Sequence, residues 1–157
     1  MAPLRLLRLA NPVIRAVLGS PAHRLLSGAL IVLVYRGHRS GRIFRIPLQY
    51  ATMPGNRIVV LAVAPDRKLW WRSFSRPAPA TLVVRGAERA VSGRLLEGEE
   101  RRAALRAYLA RIPRAAGHLG VRDATSDEAL DAAAAAVVAF DPLEPLAHVD
   151  GLLDVAE

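Results

Sequence analysis

The sequence contains no cysteine, which excludes disulfides, thiolate metal ligands and cysteine nucleophiles together. It is nearly without lysine as well: Lys68 is the only one, and the net charge of +8 comes almost wholly from arginine. Aromatic residues make up 5% of the chain and are not interleaved with arginine along strands as base-stacking platforms require, which argues against a nucleic-acid surface. The longest apolar run, Leu25 to Val34, includes Ser27 and Gly28 and falls far short of the roughly 20 residues a membrane-spanning helix needs. Leucines and arginines open the chain, but Arg15 interrupts the apolar stretch and no small-residue cleavage pattern follows. No secretory signal is expected, and the cytoplasm is the expected location. Catalytic constellations are missing too: spacing yields no serine triad, no carboxylate pair and no His/Asp metal cluster, because His23, His38, His118 and His148 are scattered. No metal site is predicted, and His23 reads as structural.

What is present fits one domain, since 157 residues bury a real core but do not divide into two ordinary ones. The positive surface attracts polyanions: nucleic acid, lipid headgroups, or a small ligand with several phosphates or carboxylates. From Pro3 to Leu18 apolar residues recur at helical spacing, with Arg5, Arg8 and Arg15 in one narrow sector. Asn11-Pro12 and Ser20-Pro21 read as N-cap and first helical residue of two further short helical pieces. The pattern then turns to strands: Ala29 to Arg36, Arg42 to Ala51, and Arg57 to Ala64, the last nearly all apolar and therefore central. Met53 to Asn56 is a turn by its Pro-Gly chemistry, Asp66 to Phe74 a short helix, and Pro77 to Pro79 a breaker. Thr81 to Arg85 and Arg89 to Leu96 form a hairpin about Gly86. Glu99 to Ile112 is helical and ends at Pro113, Thr125 with Glu128 forms a capping box for an alanine-rich helix, and Val137 to Asp141 is a closing strand. About six short strands predict a mainly β (α+β) small barrel with peripheral helices. The expected segments are an N-terminal helical piece (1–28), the barrel (29–145) and a tail (146–157).

The most informative motif is Gly37-His38-Arg39-Ser40-Gly41-Arg42, set between two strands. Its glycines permit a tight loop, and its amides, hydroxyl and arginines supply donors and charge for phosphate or carboxylate. A plain basic hairpin loop has the same composition. Arg45 and Pro47 follow on the next strand at alternate spacing, either beside a ligand at a strand edge or simply in solvent. Lys68-Leu69-Trp70-Trp71-Arg72-Ser73 is the second motif. Tryptophans are costly to expose, so core packing takes at least one and a flat ligand ring is a partner for the other.

With Asn11-Pro12 and Ser20-Pro21-Ala22-His23-Arg24-Leu25-Leu26, these motifs resemble the deazaflavin-dependent nitroreductase and quinone reductase family over about residues 11–96. The resemblance implies a six-stranded split β-barrel of the FMN-binding type and coenzyme F420 as cofactor, FMN being the alternative. By position it implicates His38, Arg39, Ser40, Gly41, Arg42, Arg45 and Pro47 at the cofactor's phosphate region. It also places Val63 and Ala64 near the deazaflavin ring, with Lys68, Trp70 and Ser73 beside it. Two departures stand out: His38 where arginine is commoner, and Ser73 where many members have asparagine. Nitroreducing members present several tyrosines to substrate, whereas the matching stretch here offers Tyr108 and His118, which leaves the substrate open.

The activity so implied is hydride transfer from reduced coenzyme F420 to a small organic acceptor such as a quinone, nitro compound or activated alkene. The cofactor would carry that chemistry and the protein would supply orientation and a dry pocket, so no catalytic side chain is singled out. A non-catalytic cofactor or lipid carrier is the competing reading. Arg5, Arg8 and Arg15 fit peripheral contact with the inner face of the cell membrane, and equally a helix capping the barrel. A homodimer is compatible with the family barrel.

Overall fold

Runs rich in Val, Ile, Leu and aromatic residues form six strands in the computed structural model, which describes residues 30–143. The expected N-terminal helices, their arginines and the tail lie outside the described residues. The strands are β1 (Leu30–Arg36), β2 (Ile43–Met53), β3 (Arg57–Val63), β4 (Ala78–Val84), β5 (Ala87–Leu95) and β6 (Ala135–Pro142). They close an antiparallel barrel in the order β1-β2-β3-β6-β5-β4. Three helices, α1 (Gly98–Arg111), α2 (Ala115–Leu119) and α3 (Asp127–Asp131), fill the connection from β5 to β6.

Two cores follow from the two-residue period of a strand. Ile58, Val60 and Ala62 of β3 and Ala136, Val138 and Phe140 of β6 point into the barrel, where they meet Ile31, Leu33, Leu82 and Val91. The alternate residues Val59, Leu61, Val137 and Ala139 face outward and are covered by Leu105, Tyr108 and Leu109 of α1, with Leu119 and Leu130 beside them. Burial on both faces is why these two strands read as unbroken apolar runs.

The barrel wall is not evenly paired. β2 pairs with β1 along Ile43 to Gln49, but with β3 only from Tyr50 to Met53. The first half of β2 therefore has a free edge, and Pro47 sits on it, where a missing N–H breaks no ladder bond on that side. The same logic admits Pro79, since β4 meets β1 only from Thr81 to Val83. β4 accordingly starts at Ala78, inside the stretch expected to break it.

Two local expectations are revised. The helix cap before Asp127 is Ser126, whose hydroxyl accepts from the Ala129 amide at 3.2 Å. Thr125 instead donates its hydroxyl to Asp123 at 2.6 Å. Ser126→Ala is expected to cost about 1 kcal/mol of unfolding free energy in urea, with Thr125→Ala costing less. The alanine run also stops being helical early: Ala135 and Ala136 pair with Val63 and Ala62 of β3, so sheet pairing overrides alanine's helix preference. Arg101 holds this change of direction, donating to the carbonyls of Leu130, Ala133 and Ala135 at 2.8, 2.9 and 3.1 Å.

Candidate functional site

Antiparallel alternation brings the β1–β2 loop and the β3–β4 connection to the same end of the barrel, the end where the β2 edge is free. The loop is closed by its own backbone: the Gly37 amide donates to the Arg42 carbonyl at 2.8 Å and the Gly41 amide to the Gly37 carbonyl at 3.0 Å. Gly41 adopts φ 67°, which suits glycine at little cost. The Arg42 amide donates to Ser40 Oγ at 3.2 Å, and Arg36 Nη1 donates to the Gly41 carbonyl at 2.7 Å. These bonds consume half of the six loop amides that a backbone anion nest would use, and Ser73 takes the His38 amide. Among the described residues only the Arg39 and Ser40 amides of the loop lack an internal partner. Side-chain cations therefore dominate what the loop offers an anion.

Opposite the loop stands a 3₁₀ turn, Trp70–Phe74. It is anchored by two rings that plug the barrel, Trp70 at 9% exposure and Phe74 at 1%. Trp71 remains half-buried, donates Nε1 to the Pro65 carbonyl at 3.0 Å and carries the Arg72 guanidinium 5.6 Å above its ring. Loop and turn are joined at one point. The His38 amide donates to Ser73 Oγ at 3.3 Å, and His38 Nδ1 lies 3.1 Å from the same oxygen.

Between them lies a cavity of about 230 Å³ lined by Tyr35, Gly37, His38, Arg39, Ser40, Phe44, Leu69, Trp70, Arg72 and Ser73. One wall is aromatic: Tyr35 stacks on Phe44 with ring centres 5.5 Å apart and also contacts Phe74 at 5.8 Å. Burial in this wall raises the Tyr35 phenol above its ordinary value. Phe44 and Leu69 stay 40% and 49% exposed, so the mouth of the cavity has an apolar rim. The buried Trp70 Nε1–H has no partner among the described residues. The other wall is cationic and has no carboxylate. Among the described residues the ion pairs formed by Arg57, Arg94, Arg102 and Arg106 all lie away from this cavity, and its arginines form none.

Of the residues expected at the site, His38, Arg39, Ser40, Trp70 and Ser73 line the cavity together, with Gly41 and Arg42 completing the loop. Arg45 and Pro47 do not line it: they sit opposite Val34 and Val32 in register and share the outer face, while Phe44 turns to the cavity. Val63 packs toward the helices, and Ala64 turns the chain at φ 55°, its carbonyl accepting from the Arg67 and Lys68 amides. Lys68 is exposed next to Leu69 but does not line the cavity. Tyr108 is buried in the helix-side core, where burial pushes its phenol up to about 12, and His118 is exposed on α2. Neither borders this cavity. Tyr35, Phe44, Leu69 and Arg72 were not expected there. The available signal was parity, because Tyr35 and Phe44 are the inward positions nearest the loop on their strands.

Among solved structures, the chain is similar to an F420-H2-dependent reductase at 18% identity and a TM-score of 0.53, over 72% of this chain and 94% of that one. It is also similar to a protein of unknown function from Agrobacterium tumefaciens, at 16% identity and a TM-score of 0.51. That match spans 73% of this chain but 48% of the other. An FAD- and heme-binding protein from Mycobacterium smegmatis aligns at 15% identity with a TM-score of 0.48, over 88% and 91% of the two chains. No protein-family model matches the sequence, and no curated protein matches it. The shared feature is the fold, here a closed six-stranded antiparallel β-barrel, as expected for a split β-barrel.

Proposed function

We propose that this chain is a deazaflavin-dependent reductase that binds reduced coenzyme F420 at the loop end of the barrel and passes hydride to a small organic acceptor. The carrying observation is one cavity in which a carboxylate-free cationic loop faces an aromatic wall. That pairing suits a ligand with an anionic tail and a flat ring, and the fold is shared with an F420-H2-dependent reductase. About 230 Å³ is below the usual range for a drug-sized ligand, so the cavity holds part of such a cofactor and the remainder extends along the surface.

Arg39 and Arg72 supply charge-assisted donors for phosphate or carboxylate, with the free Arg39 and Ser40 amides beside them. Tyr35, Phe44 and Trp70 offer ring faces, and Leu69 adds apolar surface that excludes water. Such a cofactor, held in its reduced form by these residues, would supply hydride chemistry, with a solvent proton completing a two-electron reduction of a quinone, nitro compound or activated alkene. Orientation and dryness are then the protein's contributions. Arg45, Pro47, Val63, Ala64 and Lys68 lie outside this cavity. FMN has the same combination of flat ring and phosphate and is the competing ligand.

Fluorescence titration with coenzyme F420 and FMN in parallel tests the assignment. Reduced coenzyme F420 should bind at micromolar concentration or below and be oxidised when a quinone is added. Preference for FMN overturns the cofactor, and binding without turnover across acceptors marks a carrier. Arg39→Ala should weaken coenzyme binding by about 1.5–3 kcal/mol, the value of a hydrogen bond to a charged group, with the unfolding midpoint unchanged. Unchanged affinity would place the anion elsewhere.

A further inference from the structure

We infer that His38 is a proton-linked recognition residue: through Ser73, uptake of a proton at His38 and capture of an anion in this cavity favour one another. The inference deepens the proposed site and rests on its binding an anion, whichever cofactor that is.

The geometry gives one hydroxyl two duties. Ser73 Oγ accepts the His38 amide at 3.3 Å and lies 3.1 Å from Nδ1 of the same residue. With the ring neutral and its hydrogen on Nε2, the single Ser73 hydrogen is donated to Nδ1. With the ring protonated, Nδ1–H must donate instead, so Ser73 Oγ becomes an acceptor twice over and its hydrogen is released. Protonation thus changes the cavity in two ways, since it adds a positive charge and frees a hydroxyl donor. Both His38 and Ser73 line the cavity, and both changes favour an anion.

The surroundings set the sign of the coupling. On the cavity wall with His38 stand Tyr35 of β1, Arg39 of the loop and Arg72 of the turn, and Arg36, Arg42, Arg67 and Lys68 flank these elements in sequence. Asp66 is the only acidic residue between Met1 and Ala87. Without a carboxylate on the cavity wall, a bound anion is the one fixed negative charge that a protonated His38 meets in this cavity. Linkage is reciprocal: an anion that binds the protonated form better must also make His38 easier to protonate. The loop and the turn are held together by this contact in either state, because the amide bond to Ser73 Oγ does not depend on ring charge.

The test uses 8-anilinonaphthalene-1-sulfonate, a flat aromatic probe whose sulfonate keeps its charge over the range from about pH 5 to 8 in which histidines titrate. Dye fluorescence gives affinity at both ends of that range, and side-chain NMR follows the His38 ring with and without dye. Expected for the full chain is about tenfold tighter binding at the acid end, matched by a rise of about one pH unit in the His38 midpoint on saturation. His38→Gln should bind at the alkaline-end affinity at every pH, and Ser73→Ala should retain only part of the pH dependence. Circular dichroism of both variants should match the parent, as the contact is exposed. An unmoved His38 midpoint in dye-saturated protein overturns the inference, as does equal pH dependence in His38→Gln. Because the probe is not a cofactor, either result stands whether or not coenzyme F420 proves to be the ligand.

Discussion

Phe74→Ala is expected to lower the unfolding free energy by about 3–5 kcal/mol, the range for deleting a large ring from a core that cannot collapse around the gap. Phe74 is 1% exposed and is the hub of an aromatic chain, with ring centres 5.8 Å from Tyr35, 6.3 Å from Trp70 and 5.2 Å from Phe140. The barrel wall around it is fixed by ladder bonds, so the cavity left by the ring persists. The side chain also pins the turn that carries Arg72 and Ser73, so coenzyme affinity should fall in the same variant even where it is still folded. Urea unfolding gives the first effect and the fluorescence titration gives the second. A loss below about 1 kcal/mol would mean that this end of the barrel repacks freely, and the cavity with it.

Gly93→Ala should destabilise by about 1–3 kcal/mol, toward the upper end, through overpacking. A β-carbon at Gly93 would lie 2.6 Å from ring carbons of both Phe140 and Phe74. These two rings, at 0% and 1% exposure, have no room to move. Gly93 also stands opposite Phe140 in the β5–β6 register, so the edge-to-face pair of rings lies directly over its backbone. Gly117→Ala is the contrast: it lies within α2, no atom is within 4 Å of the added carbon, and helix preference favours the change by about 0.5–1 kcal/mol. Opposite signs in thermal and urea unfolding are the expected result. A Gly93→Ala protein as stable as the parent would show that the two rings do not close over this strand.

Much of the barrel was legible because period-two alternation and turn chemistry are local signals. Six strands were countable, the apolar run from Arg57 was assignable to the interior, and Pro47 marked an edge that the β2–β3 register shows to be free. The Gly37–Arg42 loop was recognisable between its strands, and one tryptophan was expected in the core, where Trp70 lies. Less visible were outcomes of competition between distant segments. The alanine run from Ala132 favours helix by composition, yet β3 recruits Ala135 and Ala136 as ladder partners. Thr125 with Glu128 spells a capping box on paper, yet Asp123 takes the Thr125 hydroxyl and Ser126 becomes the cap.

Sequence was enough to show what the loop is made of: which strands flank it, and that it is cationic. Those properties are carried by residues close together in the chain and need no partner. Tertiary structure alone decided how they are used. Barrel closure turned Phe44 toward Tyr35 and Arg45 away from the cavity, a choice that alternation leaves undetermined until one face is buried. It also consumed half of the loop amides in closing the hairpin, and it brought His38 to Ser73 across 35 residues. That pairing depends on where two separate connections end at one rim of the barrel, and no local pattern encodes such a meeting.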